Sequence, residues 1–216
     1  MSVEIVVEGE RLILLPERAL YWPREETLLV ADVHCGKAAS FRARNVPLPE
    51  GNMEEDLQRL SGVLHSTGAR ELAILGDWIH AAVGCTPRVI QAIREWRSSH
   101  QDVRMHWVRG NHDRAPAQVR AQFGFEECEF LERGPFRLEH IPGPRKGTFV
   151  IGGHIHPKLV VGGRGFPRAH LACFHFTRAF AVLPAFGSLT GGYPVKRTTG
   201  DRVFPIVENT VIEWQG

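Results

Sequence analysis

An α/β or α+β domain, with two sheets and its helices outside, is the fold this sequence predicts. Three features carry the prediction. Four short apolar runs each stop at a cluster of polar residues, amphipathic stretches of helical period lie between some of them, and the last third of the chain turns to β patterning. At 216 residues the chain fits one domain, 1–216, and is long enough to bury a substantial core.

The elements follow in chain order. VEIVVEGERLILLP near the N-terminus reads as a hairpin. ETLLVADVH (26–34) is a buried strand, an apolar run that stops at polar residues. Over 50–66, Met53, Leu57, Leu60 and Leu64 recur at helical spacing. Glu54, Glu55 and Asp56 fall in its opening turns, where the helix dipole favours negative charge. ELAILGDWIH (71–80) repeats the strand pattern, and TPRVIQAIREWRSS (86–99) starts with a Thr cap and a Pro at the first helical position. RMHWVRGNHD (104–113) is a third apolar strand, APAQVRAQFG (115–124) a short helix ending at Gly, and GTFVIGGHIH (147–156) the fourth apolar strand. RAHLACFHF, AFAVLPAFG and RVFPIVENTVIEW read as strands, the last a hairpin turning at Glu208 and Asn209.

Composition bounds the function. Hydrophobic residues make up 43 % and charged residues 23 %, ordinary for a soluble globular protein. No apolar run reaches membrane-spanning length, so no membrane partner is expected. The N-terminus carries glutamates from position 4 instead of the basic start and long apolar stretch of a signal peptide, which predicts a cytoplasmic protein. Cys35, Cys85, Cys128 and Cys173 are scattered without a CxxC, which suits reduced thiols. The net charge of +2 hides an uneven spread: residues 133–202 hold eleven Lys and Arg against two acidic residues. Of the 26 basic residues 22 are Arg, whose planar fork matches phosphate oxygens. A polyanion such as nucleic acid is one reading of that bias; Arg-rich codon usage with solvated surface charge is the other.

The chemistry gathers where the apolar runs stop. The first ends in Asp32 and His34, the second in Asp77 and His80, the third in Asn111, His112 and Asp113, the fourth in His154 and His156, each with Gly close by. Ligands of α/β folds bind at the carboxyl ends of strands. On extended backbone, residues i and i+2 face one side, so Asp32 with His34, and His154 with His156, would each face one ion. Singly, a D-x-H, a G-D or an N-H-D is common and structural. Four in order, each closing an apolar strand, point to convergent donors. Carboxylate, amide oxygen and imidazole suit Mn²⁺, Fe or Zn²⁺ and not a thiolate site. Asp32, His34, Asp77, Asn111, His154 and His156 are six such donors, more than one open ion needs and a match for two divalent metal ions about 3.5–4 Å apart that share a carboxylate.

The order DVH, GDWIH, GNHD, an isolated His and GHIH resembles the calcineurin-like metallophosphoesterases over residues 30–157. The isolated histidine is His140 in LEHIPGP, and His80 stands where many members carry Asp. DVHCGKAASFRARNVPLPEG, GGHIHP and LPAFGSLTGG further resemble the ligase-associated DNA-damage-response endonucleases of bacteria. The resemblance implies a four-layer α/β/β/α sandwich of two mixed sheets flanked by helices. It also implies a phosphodiesterase acting on DNA in repair, encoded beside an ATP-dependent DNA ligase, a helicase and a nuclease.

Carried onto this chain, the resemblance implies one ion, most readily Mn²⁺, at Asp32, His34, Asp77 and His156. A second falls at Asp77, Asn111, His140 and His154, with Asp77 bridging. His112, adjacent to a ligand, would protonate the leaving oxygen, and Asp113 would orient it. Arg42, Arg44 and Arg114 are candidate phosphate contacts, or plain loop arginines. Lys158, Arg164 and Arg168, in a Gly-rich loop after GHIHP, would track a DNA backbone. Cys35 is either a soft donor or a small residue packed behind the site. His65, His100, His106, His170 and His175 are structural or on the surface. Two other activities fit the same donors: hydrolysis of a small phosphoester such as a nucleotide, and a metal-bound scaffold without catalysis. The scaffold has no use for a His112 that is not a ligand. A purely structural metal domain fits poorly, because structural sites are closed and often Cys-rich.

Overall fold

The computed structural model describes residues 1–163 and 166–215. Its first sheet holds seven strands in chain order: β1 (Val3–Val7), β2 (Glu10–Leu15), β3 (Ala19–Trp22), β4 (Thr27–Val30), β5 (Glu71–Leu75), β6 (Arg104–Val108) and β7 (Glu126–Cys128). β1 to β4 are antiparallel, and β4 to β7 run parallel. The first hairpin turns on Glu8 (φ 50°) and Gly9 (φ 81°), the two left-handed residues that match strand twist. Between the parallel strands come α1 (Lys37–Arg42), α2 (Asn52–Thr67), α3 (Pro87–Ser98) and α4 (Ala117–Arg120). Thr86 caps α3, its hydroxyl accepting the Val89 N–H at 3.3 Å.

The second sheet is built from β8 (Phe130–Arg133), β9 (Phe136–Glu139), β10 (Phe149–Gly152), β11 (Pro157–Gly163), β12 (Phe166–Phe176), β13 (Phe180–Val182), β14 (Tyr193–Pro194), β15 (Arg202–Val207) and β16 (Thr210–Val211). Its order is β14-β11-β12-β13-β10-β9-β8, with β15 pairing β12 and β16. β10 lies parallel to both β9 and β13. The C-terminal hairpin turns at Glu208, φ 52°, as the sequence predicts.

Two cores explain why β4, β5 and β6 carry apolar residues on both faces and do not alternate. Leu28, Val30, Leu72, Ile74 and Trp107 pack outward against Leu57, Leu60, Ile93 and Trp96 of the helices. Leu29, Ala73, Leu75 and Val108 face the other way, onto Phe136, Leu138, Ile151 and Phe174 of the second sheet. A strand buried on both faces needs apolar residues on both, and each such side chain contributes about 1.5–3 kcal/mol when fully buried.

The α/β architecture of two packed sheets is present, but the fourth layer is not helical. Among the described residues no helix follows Phe123, and the outer face of the second sheet carries a small cluster of Leu159, Cys173 and Val203. Short polar elements escaped the sequence reading. β7 reads EEC and β8 reads FLER, edge strands without an apolar run, and the six residues of α1 are too few to show periodicity. The Gly-rich stretch after GHIHP, read as a loop, is β11, held by antiparallel pairing to β12.

Candidate metal centre

The carboxyl ends of β4, β5 and β6 meet those of β9 and β10 at one edge of the sandwich. The Phe186 N–H donates to Ala31 O at 2.8 Å and the Gly187 N–H to Asp32 O at 3.1 Å, tying the sheets together there. Past its strand, each segment bends sharply. Asp32, His34, Asp77, His154 and His156 all have φ between 50° and 69°. The expectation that the D-x-H and H-x-H pairs are presented by extended backbone is therefore wrong: β4 stops at Val30 and β10 at Gly152. Left-handed non-glycine residues cost about 1–3 kcal/mol each and persist where surrounding bonds enforce them. The bonds here are His34 N–H to Asp77 O at 2.9 Å and His154 N–H to Asp32 Oδ2 at 2.8 Å.

These bends bring the donors into two groups, Asp32 with His34 and His156, and Asp77 with His140 and His154, each with ligand atoms within 4.8 Å of one another. His154 and His156 thus fall into different groups. Asn111 joins the second: its Oδ1 lies 3.0 Å from His140 Nε2, which is also 3.4 Å from Asp77 Oδ2 and 3.1 Å from His154 Nδ1. His140 Nδ1 faces Leu75 O at 3.0 Å, which turns Nε2 toward those donors. Asp77 Oδ1 accepts the His112 N–H at 2.8 Å. Glycine makes room. A Cβ on Gly76 (φ 84°) would stand 2.1 Å from His140 Nδ1, and one on Gly153 would stand 2.3 Å from Asp32 Oδ2.

The electrostatics fit divalent cations. Asp32 and Asp77 are 0 % and 1 % exposed, and among the described residues no Lys or Arg comes within 4.0 Å of either. Buried carboxylates need compensating positive charge. Burial opposes protonation of His140, yet the Asp77 and Asp32 carboxylates outweigh it and raise its pKa. Asp32 Oδ1, both ring nitrogens of His34 and Nε2 of His156 are buried without a hydrogen-bond partner. Burial pushes the His34 pKa down to about 2, so its ring stays neutral with a lone pair to give.

Among solved structures, a Pseudomonas putida nuclease, MPE, matches at 34 % identity and a TM-score of 0.86, over 99 % of this chain and all of the other. The chain belongs to the metallophosphoesterase family. An Escherichia coli phosphoesterase, YfcE, matches over 87 % of this chain and 97 % of its own, at 14 % identity and a TM-score of 0.44. An Aquifex aeolicus protein of unknown function matches over 64 % of this chain and 81 % of its own, at 18 % and 0.41. No family model and no curated protein sequence matches. As a metallophosphoesterase, the chain is a metal-dependent phosphoester hydrolase.

Around the metallophosphoesterase donors, the other predicted residues divide. His112 lies at the centre: its ring stands 5.2 Å from that of His34, stacks on His80 at 5.2 Å, and its Nδ1 faces His80 O at 2.9 Å. His80 belongs to neither donor group, and burial lowers its pKa to about 4. Asp113 does not orient His112. Its two oxygens accept the N–H groups of Asp77, Ile79 and Gly110 and Trp107 Nε1, all at 2.7–2.9 Å. Burial still lifts its carboxyl to about 6. Cys35 joins the helix-side core, where burial pushes its thiol up.

Arg114 donates to Asn111 O at 2.8 Å, close beside the site. Arg42 is held by Leu48 O and Glu50, and Arg44 is exposed. Lys158 turns into a separate cavity, Arg168 is exposed on β12, and Arg164 lies outside the described residues. His106 sits between Glu71 and Glu126, and His175 on Asp201, as structural histidines. One residue was missed. Lys37, three positions after His34, lines a cavity of about 410 Å³ beside the first donor group; burial lowers its pKa, and Asp32 and Asp77 pull it back up. Its only sequence signal was its place in DVHCGK.

Proposed function

We propose that this chain is a nuclease that hydrolyses DNA phosphodiesters with two divalent ions, most readily Mn²⁺, in cytoplasmic DNA repair alongside an ATP-dependent ligase, a helicase and a nuclease. The observation that carries the reading is the paired donor groups with the His112 ring directly beside them. The 34 % identity to a nuclease supports it. Asp32, His34, Asp77 and His156 would hold one ion, and Asp77, Asn111, His140 and His154 the other. Bound there, the ions would acidify a water and offset charge on the phosphoryl oxygens.

The chain's own residues do the rest. Hydrolysis adds water across one P–O bond, and the departing oxygen needs a proton. His112 is placed to give it: with Nδ1–H committed to His80 O, Nε2 is the ring nitrogen left to carry a proton to the departing oxygen. Arg114, fixed to Asn111 O, stands where a phosphate oxygen would approach.

A second reading, hydrolysis of a small phosphoester, is favoured by the largely apolar cavity beside His34, which is large enough for a nucleotide base. The test is activity on plasmid DNA, oligonucleotides and bis-p-nitrophenyl phosphate, with and without Mn²⁺. Mn²⁺-dependent cleavage of DNA is expected. Turnover of the small diester with intact DNA would replace the first reading by the second.

A further inference from the structure

We infer a second anion site: the half-buried cations Arg18 and Lys158, with Arg59 behind them, bind a backbone phosphate of a polynucleotide away from the one at the metal centre. The inference rests on the nuclease reading and adds a contact further along the strand.

The geometry carries it. Arg18, Arg59, Lys158 and His170 line one cavity of about 300 Å³. Lys158 on β11 stands opposite Ala172 of β12, and His170 opposite Val160, so Lys158 and His170 share a face of the hairpin. Arg18 occupies the turn from β2 to β3. Leu20 pairs with Leu29, which puts that turn level with the end of β4, where Asp32 follows. Lys158 comes two residues after His156. The cavity therefore lies on the metal-centre edge of the sandwich, next to the first donor group.

Among the described residues, two of the cations in it form no ion pair. Arg59 is satisfied, pairing with Asp56 at 2.9 Å and donating to Phe186 O. Among the described residues, no carboxylate lies within 4.0 Å of Arg18 or Lys158. Glu17 and Glu208 line the cavity too, but neither forms an ion pair with these cations. Burial and then Arg59 lower the pKa of Arg18, and the more distant Asp56 pulls it partly back up. Half-buried like charges that form no ion pair repel, and an anion between them relieves the repulsion. Phosphate oxygens match an Arg fork beside a Lys point charge.

The test is binding of a short fluorescent oligothymidylate to the full chain in EDTA, titrated against salt. The variants are Arg18→Asn, which tolerates the φ of 69° at that position, and Lys158→Met, which keeps the aliphatic stem. Each should weaken binding roughly tenfold and reduce the log–log salt slope by about 1. Melting temperature reports folding, and Arg70→Gln, an exposed cation at the opposite end of β5, controls for net charge and should leave binding unchanged. If Arg18→Asn and Lys158→Met bind like Arg70→Gln while the unaltered chain cleaves DNA, the site is wrong and the nuclease reading stands. If the unaltered chain binds inorganic phosphate through Arg18 and Lys158 but no oligonucleotide, the cavity is a free-anion site and the polynucleotide assignment is overturned. An unaltered chain that neither binds nor cleaves DNA removes both.

Discussion

Asp77 has only two oxygens, and both are committed at the centre: Oδ1 accepts the His112 N–H and Oδ2 faces His140. Asn at this position keeps one acceptor but loses the charge and turns an N–H₂ group toward a donor. Asp77→Asn should therefore lower the metal content measured by elemental analysis at both positions. Its loss of affinity should exceed the roughly 10–100-fold that removal of an outer partner costs. Undiminished content would end the bridging assignment. His112→Ala makes the opposite prediction. Its ring is not in either donor group, so metal content should hold while turnover of a diester falls by about 10²–10⁴. An alanine variant at full activity would show that the proton comes from elsewhere. At this scale the sequence was informative about donor identity, because one chemistry recurs at four strand ends. It was silent on conformation: nothing in the residue type announces that Asp32 or His156 takes a left-handed φ.

Between elements, the tie that matters most is Asp113, read from sequence as a partner of His112. Its four donors come from the segments after β5, the turn after β6, and Trp107 within β6. Three are backbone groups, two of them more than thirty residues away, which no local pattern encodes. Asp113 is thus a brace that holds the Asp77 loop against the GNHD turn. Asp113→Ala would leave several buried N–H groups unpaired at about 1–3 kcal/mol each. A destabilisation of about 3–5 kcal/mol is expected, seen as a lower denaturant midpoint at unchanged slope. A midpoint equal to that of the unaltered chain would deny the brace. β4, β5, β6 and β10 were legible because burial on both faces gives each an unbroken or nearly unbroken apolar run. β7 and β8 were not, since edge strands need no such run.

Across the whole molecule, the basic bias of residues 133–202 loses much of its force once folded. Arg133 pairs with Glu71, Arg137 with Glu132 and Glu139, Arg145 with Glu139 and Arg202 with Glu213, so these four charges are matched by carboxylates of the chain itself. Unbalanced charge sits at the metal-centre edge instead: positive at Arg18 and Lys158, negative at Asp32 and Asp77. Global stability should register the negative pair. In chelator, His34 and His80 stay neutral when folded but bind protons when unfolded, from pH 6.5 down to about 2 and about 4 respectively. Unfolded chains then hold more protons, so stability falls with acidification below 6.5. Asp113, raised from 3.8 to about 6, and Asp56, also raised by burial, work the other way, while His154 and Asp77, both lowered, add to the loss in acid. Mn²⁺ should add stability on top, because an ion that binds only the folded donors shifts the equilibrium by mass action, about 2.7 kcal/mol per site at a hundred times its Kd. For a chain of this length that is a rise in melting temperature of roughly 5–10 °C. Asp77→Asn should lose most of the rise and Arg70→Gln none, as read by thermal unfolding with and without Mn²⁺. A Mn²⁺-induced shift as large in Asp77→Asn as in the unaltered chain would place the ions somewhere other than these strand ends.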